Sequence, residues 1–309
     1  MSETLYDVLI IGGGPAGLTA GLYTSRAKLK TLLVERMILG GQVMTTTKVE
    51  NYPGFPGGID GPDLMVRFQE HCQEFGLETI TGEVTGLVDK GSEKLVAVDD
   101  RVIRTRAVII TTGAEPSKLG IPGETEFTGR GVSYCATCDG AFFRNVPVAI
   151  IGGGDTAAEE ALFLTRFASK VYLVHRRDEL RATKLLQERI FANDKIAPVW
   201  SSIVDKVVGD QSGVTSLVLR NRKDEAQRTL EVAGMFVAIG VTPKAHFLAD
   251  ILDIDRDGYI LTDAECRTSM PGVFAAGDVR KKILKQIATA VGDGAIAAIV
   301  TEKYLDDFE

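Results

Sequence analysis

The chain has 309 residues, 45% of them hydrophobic and 25% charged, which is enough apolar material for one or two domains with buried cores. Its formal net charge of −7 leaves no basic stripe for a phosphate backbone, so nucleic acid is not expected as a partner. No uninterrupted apolar run is long enough to span a bilayer, and residues 1–7 lead straight into a strand with no basic n-region or cleavable apolar segment, so a cytoplasmic location away from membranes is expected.

The first predicted element is a buried strand over 8–11, followed by the turn Gly12-x-Gly14-Pro15-Ala16-Gly17, a helix-length segment, and a second apolar run ending at Glu35. Strand, glycine turn, helix and strand make a β-α-β unit. In such a turn the first glycine allows the sharp reversal and the second lets backbone approach a pyrophosphate. The third position must be small for helix–strand packing. The pyrophosphate then sits at a helix N-terminus, where free N–H groups and the macrodipole favour negative charge. A single fingerprint of this kind is weak evidence, because glycine turns also follow buried strands for structural reasons.

Further along, residues 68–75 have the apolar spacing of an amphipathic helix carrying Cys72. Glycine and proline punctuate 114–118 and 240–244, which read as turns. Cys135-Ala-Thr-Cys138 is a C-x-x-C, a spacing that serves disulfide exchange or supplies half of a zinc site. The chain has only three histidines (His71, His175, His246) and no second C-x-x-C, which weighs against zinc. Asp139 follows at once, either as a turn cap or as a group exchanging protons with a departing thiolate. Cys72 and Cys266 have no cysteine nearby in sequence and read as structural or incidental.

Residues 148–177 then repeat residues 8–37 without a gap at an offset of 140, with 12 of 30 positions identical. The second turn is Gly152-x-Gly154-Asp155-Thr156-Ala157. Two fingerprints in register, each completed by a second strand, identify two nucleotide sites. They differ where the second strand ends. Glu35 can accept hydrogen bonds from a ribose diol and would repel a 2′-phosphate, so the first site reads as one for FAD. The equivalent position is His175, followed by Arg176, Arg177 and Arg181, a cluster suited to the 2′-phosphate of NADPH or simply a solvated basic helix start. Near the C-terminus, 271–278 read as a short buried strand ending in Gly277-Asp278.

Taken together, Gly12–Gly17, Gly40-Gly41-Gln42, Glu50-Asn51-Tyr-Pro-Gly54, Thr112-Gly113-Ala114, Cys135–Gly140, Gly152–Ala157, His175–Arg177 with Arg181, and Gly272–Asp278 resemble the low-molecular-weight thioredoxin reductases of bacterial type. The likeness covers essentially the whole chain. It implies an α/β fold of two Rossmann-like, three-layer nucleotide-binding domains: a discontinuous FAD domain (1–117 and 245–309) with the NADPH domain (118–244) inserted. It implies that Gly41, Gln42, Asn51, Thr112, Gly113, Gly277, Asp278, Gln286 and Ile287 join the first turn in holding FAD.

The resemblance further implies that NADPH reduces FAD, which reduces the Cys135–Cys138 disulfide. Cys138 would face the flavin, Cys135 would attack thioredoxin, and Asp139 would donate and accept the proton. A homodimer and a rotation of the NADPH domain between two working positions come with the likeness. An NADPH-dependent flavin reductase of another C-x-x-C carrier protein is the alternative. Ala141 departs from three aromatics common after Cys-Asp-Gly in relatives, where Phe142 and Phe143 would line a groove for thioredoxin, and Lys285 replaces the usual Arg.

Overall fold

The computed structural model describes residues 4–46 and 48–306. Residues 1–3 and 307–309, which the sequence reading assigns to the FAD domain, lie outside the described residues, as does the start of the N-terminal segment used for the cytoplasmic expectation. The chain folds as two compact units, Met1–Glu115 with Thr242–Glu309, and Pro116–Val241. The sequence reading sets the divisions at 117/118 and 244/245. Both units are α/β, each built on a parallel sheet.

In the first unit the parallel order is Glu78–Thr81, Thr31–Glu35, Leu5–Ile11, Arg101–Ile110. The C-terminal end of Arg101–Ile110 also pairs in parallel with Val273–Ala275, and its N-terminal end pairs antiparallel with Lys94–Val98, which pairs with Val84–Asp89. Strands covered on both faces read as unbroken apolar runs, and Val8–Ile11 and Ala107–Ile110 are buried throughout for that reason.

Helices Pro15–Arg26, Gly61–Glu74 and Ile287–Asp306 share a core with this sheet. Leu18, Leu33, Leu64, Met65, Ile109 and Phe274 are each at most 2% exposed there. Each such side chain contributes about 1.5–3 kcal/mol by leaving water. Helix Ile287–Asp306 is alanine-rich, and Gln286 N–H donates to Thr289 Oγ1 (3.1 Å) at its start. A Cβ on Gly294 would overlap the Ala16 carbonyl, so glycine here buys the closest approach of two helices.

In the second unit five parallel strands lie in the order Ile196–Val199, Lys170–Val174, Pro147–Ile151, Gly234–Val237, Val132–Ser133. Helices Ala136–Asp139, Asp155–Leu164 and Lys184–Phe191 border one core, with Ala157, Ala161, Leu164, Leu173 and Phe236 fully buried. The antiparallel strands Ser202–Asp210, Gly213–Asn221 and Gln227–Glu231 contribute to the other. The chain is held close on both sides of the insertion: Lys244 N–H donates to Gly113 C=O (3.0 Å) in the first unit, and Ser117 N–H to Gly240 C=O (2.9 Å) at the ends of the second.

Candidate active site

The two glycine turns are built alike. Gly12 and Gly152 have φ of +107° and +157°, and a Cβ on either would overlap a neighbouring carbonyl, Thr111 or Ala238. Gly17 admits no side chain against the Gly12 carbonyl, and Ala157, its counterpart, is fully buried. Gly14 and Gly154 differ from these, since a Cβ on either would meet nothing within 4 Å. The fold does not require glycine at those two positions. Glycine there leaves the backbone open to approach, an arrangement that fits a dinucleotide pyrophosphate. Helix Pro15–Arg26 has no acidic residue in its first turn, and Asp155, which opens helix Asp155–Leu164, spends Oδ1 on Thr183 N–H (2.7 Å).

Around the first turn, Glu35 is oriented by accepting Gly13 N–H (2.7 Å) and Met37 N–H (3.0 Å), with further lone pairs left for a ribose. Thr111 Oγ1 donates to the Ile11 and Gly12 carbonyls, fixing the reversal. Gly40 N–H donates to Gly13 C=O (2.8 Å), which lays Gly40-Gly41-Gln42 over the turn, and Gln42 Nε2 donates to the Ala114 carbonyl. Thr112 Oγ1 donates to Lys244 C=O (2.6 Å), beside Gly113 with φ of +72°. Asn51 Nδ2 donates to Gln286 Oε1 (2.9 Å), joining positions 235 apart in sequence, and Ile287 begins the helix that follows.

Gly277, at φ +79°, sets Asp278 on a short turn against Ala16. Asp278 Oδ1 is buried without a hydrogen-bond partner, and Lys282 Nζ stands 3.6 Å away. Burial raises this carboxyl, opposed by Lys282 and Lys285. An orphaned acceptor of this kind fits a ligand hydroxyl such as that of a ribitol. Sequence reasoning missed what holds the loop. Asp293, in helix Ile287–Asp306, accepts Gly277 N–H (3.1 Å) and pairs with Arg280 (3.1 Å) and Lys282 (3.0 Å), all three side chains at most 13% exposed. The only signal was an acidic residue between two glycines in a helical pattern. Lys285 Nζ sits 4.2 Å from the centroid of the Tyr259 ring.

Around the second turn, Arg181 N–H donates to Gly153 C=O (2.7 Å), the counterpart of the Gly40–Gly13 bond. Thr156, Arg176, Arg177 and Arg181 are exposed. The sequence reading counts His175 with these arginines, but its ring is 4% exposed and lies under Gly153, where any Cβ would strike it. Burial, then Arg181, Arg177 and Arg176, lower its pKa, so the ring is neutral and contributes packing rather than charge. Arg222, which sequence reasoning passed over, reaches the Arg176 carbonyl (3.5 Å).

The redox pair lies in the second unit. Cys135 and Cys138 form a disulfide with Cα atoms 5.3 Å apart, Cys135 capping the short helix Ala136–Asp139. Cys135 Sγ accepts Cys138 N–H (3.2 Å). Ser133 Oγ accepts Cys135 N–H (3.1 Å) and donates to Asp139 Oδ2 (2.6 Å). Burial raises the Asp139 carboxyl, and the Ser133 hydroxyl opposes it. Tyr134 O–H donates to buried Glu124 (3.0 Å), which also accepts Leu119 and Gly120 N–H. Phe142 is 46% exposed, whereas Phe143 packs edge-on against Phe236. Cys72 and Cys266 are buried free thiols that burial pushes up to about 12 and about 11, which makes both inert as nucleophiles. Among the described residues no cluster of three or more His, Cys, Asp and Glu could hold a metal ion, and no helix is long and apolar enough to cross a membrane.

Two dinucleotide turns and a C-x-x-C disulfide on one chain define a nucleotide-dependent disulfide oxidoreductase. Residues 6–294 match the family model described as pyridine nucleotide-disulphide oxidoreductase. A thioredoxin reductase of Listeria innocua is 48% identical over 307 residues, covering 99% of this chain and 96% of its own, and one of Bacillus subtilis is 45% identical, covering 99% and 97%. The crystal structure of thioredoxin reductase from Streptococcus pyogenes is 46% identical, with a TM-score of 0.96 over 99% of this chain and 100% of its own. The chain belongs to the pyridine nucleotide-disulphide oxidoreductases and, within them, to the thioredoxin reductases of bacterial type.

Proposed function

We infer that the protein is an NADPH-dependent flavoprotein that reduces the disulfide of thioredoxin. One observation carries this reading: the Cys135–Cys138 disulfide stands in the same unit as a dinucleotide turn, beside the buried, hydrogen-bonded carboxyl of Asp139. In this reading the first unit is the flavin domain. Gly12, Gly14, Pro15, Ala16 and Gly17 cradle the pyrophosphate of FAD, Glu35 takes its ribose, and Asp278 takes a hydroxyl of its chain. Gly41, Gln42, Asn51, Thr112, Gly113, Gly277, Gln286 and Ile287 complete the site. The second unit takes NADPH on Gly152, Gly154, Asp155, Thr156 and Ala157, with the 2′-phosphate on Arg176, Arg177 and Arg181. Bound FAD supplies a two-electron carrier between nicotinamide and disulfide.

The remaining chemistry belongs to the chain itself. Once the pair is reduced, the Cys138 N–H that points at Cys135 Sγ stabilises a thiolate there, which favours Cys135 as the sulfur that attacks thioredoxin. Attack forms a mixed disulfide and breaks the thioredoxin S–S bond. Asp139, kept protonated more readily by burial, gives its proton to the sulfur that leaves. Cys138 then displaces the second thioredoxin sulfur and restores the Cys135–Cys138 bond. Two electrons and two protons have passed to thioredoxin.

A cytoplasmic homodimer is part of the same proposal, open to cell fractionation and light scattering. The central test is NADPH oxidation with and without thioredoxin, in the wild type and in Cys138→Ser. Thioredoxin should accelerate the wild type strongly. The variant should stay yellow and reducible by NADPH but pass nothing to thioredoxin. Undiminished thioredoxin reduction by Cys138→Ser would refute the relay.

A further inference from the structure

Strand Lys170–Val174 leads into the segment that carries Arg176, Arg177 and Arg181, the exposed cations beside the second nucleotide turn. A stretch of chain from much later in the sequence is fastened to that segment. Ser202 N–H donates to His175 C=O (3.0 Å), Ser201 N–H to Arg177 C=O (2.9 Å), and Arg222 N–H to Ser201 C=O (2.6 Å). These bonds bring the tip of the hairpin between strands Gly213–Asn221 and Gln227–Glu231 alongside the arginines. There Arg222 Nη1 donates to the Arg176 carbonyl (3.5 Å), 46 positions away in sequence, and Lys223 Nζ pairs with Asp178 Oδ2 (2.9 Å).

Each contact has a consequence for an anion. A guanidinium has five N–H donors in a fixed fork, and the bond from exposed Arg222 to the Arg176 carbonyl uses one of them. Asp178 is the acidic residue in an otherwise basic run and would repel a phosphate, and Lys223 sets a positive charge against it. We propose that Arg222 is a specificity-determining residue for the nucleotide: it adds a fourth guanidinium to the 2′-phosphate site of Arg176, Arg177 and Arg181, while Lys223 neutralises Asp178 at the edge of that site. The role rests on the reading of the second unit as an NADPH site. A phosphate group carries about 1.5 to 2 negative charges at neutral pH, and forks from two stretches of chain can take different oxygens of it.

The test titrates the full-length protein with 2′,5′-ADP, which carries the 2′-phosphate, and with 5′-AMP, which lacks it, so neither flavin reduction nor thioredoxin enters the readout. Arg222→Ala should weaken 2′,5′-ADP about fivefold, the equivalent of one charged contact at an exposed site, and leave 5′-AMP unchanged. Arg222→Lys, which keeps the charge but not the fork, should recover part of the loss. Lys223→Ala should weaken 2′,5′-ADP about twofold, and adding Asp178→Asn should restore it. Lys206→Ala, which removes an exposed cation from strand Ser202–Asp210, should bind both ligands as wild type does. Arg176→Ala with Arg177→Ala checks the site itself: wild-type affinity for 2′,5′-ADP in that variant removes the NADPH reading and this proposal with it. Where the double variant does lose affinity, three results overturn the role of Arg222 alone: wild-type binding by Arg222→Ala, an equal loss for 5′-AMP, or a matching loss in Lys206→Ala. A Lys223→Ala variant that Asp178→Asn does not improve overturns the part given to Lys223.

Discussion

Ser133 Oγ donates to Asp139 Oδ2 at 2.6 Å while accepting Cys135 N–H at 3.1 Å, so one hydroxyl ties the acid to the first cysteine. Removing it takes away the hydrogen bond that favours the ionised carboxyl. Ser133→Ala should therefore shift the alkaline limb of the kcat–pH profile, where Asp139 gives up its proton, to higher pH. Asp139→Asn should lower thioredoxin turnover by about 10²-fold, within the range of general-acid effects, while NADPH still reduces the flavin. Stopped-flow measurements of the two half-reactions separate these outcomes.

The glycines divide into two kinds. Gly14→Ala and Gly154→Ala place a methyl in open space, so the fold should survive while nucleotide is lost: FAD retention in the first, and a KM for NADPH raised about tenfold or more in the second. Gly12→Ala and Gly152→Ala force a methyl onto a carbonyl and should cost about 2–4 kcal/mol of stability, visible in urea titrations.

Asp293 neutralises two cations that are as buried as itself. Asp293→Ala strands both and frees Gly277 N–H. It should destabilise the first unit by about 3–5 kcal/mol and release FAD on gel filtration, whereas Asp293→Asn should retain more flavin.

For nucleotide choice, Arg176→Ala with Arg177→Ala should raise KM for NADPH about 10- to 100-fold and leave NADH kinetics nearly untouched. His175→Ala should behave differently, lowering the melting temperature with the NADPH:NADH preference preserved, because its neutral ring lies beneath Gly153.

Glu160, in helix Asp155–Leu164, buries a carboxyl oxygen with no hydrogen-bond partner. A carboxyl whose pKa is raised on folding, from 4.5 to about 7, adds stability that is complete below pH 4.5 and lost as pH rises through 7. The advantage of Glu160→Gln over wild type should grow between pH 5 and pH 8 to on the order of 3 kcal/mol, with Asp139 and Asp278 common to both proteins. Denaturation midpoints at the two pH values measure it.

Local rules made much of this legible in the sequence. The fingerprints at Gly12 and Gly152, the strand at 273–275 and the amphipathic helix around Cys72 each follow from residues within one or two turns of one another. What escaped depends on contacts the linear order hides. Ser133 and Asp139 look like an ordinary strand end and turn cap until the hydroxyl is seen to bridge them. His175 follows an apolar strand and precedes two arginines, and nothing local says that its ring turns inward while theirs stay in water. Glu160 was detectable, since helical periodicity already places it beside Ala157, Ala161 and Leu164.

The hydrogen bond from Ser117 to Gly240 means that the second unit starts and stops at nearly one point, and the bond from Lys244 to Gly113 closes the gap it interrupts. The inserted segment is therefore a cassette. Excised at 116–241, it should fold alone with its disulfide, bind NADPH and remain colourless, while the remaining ends, rejoined through a short glycine linker, should make a small yellow flavoprotein with no outlet for its electrons.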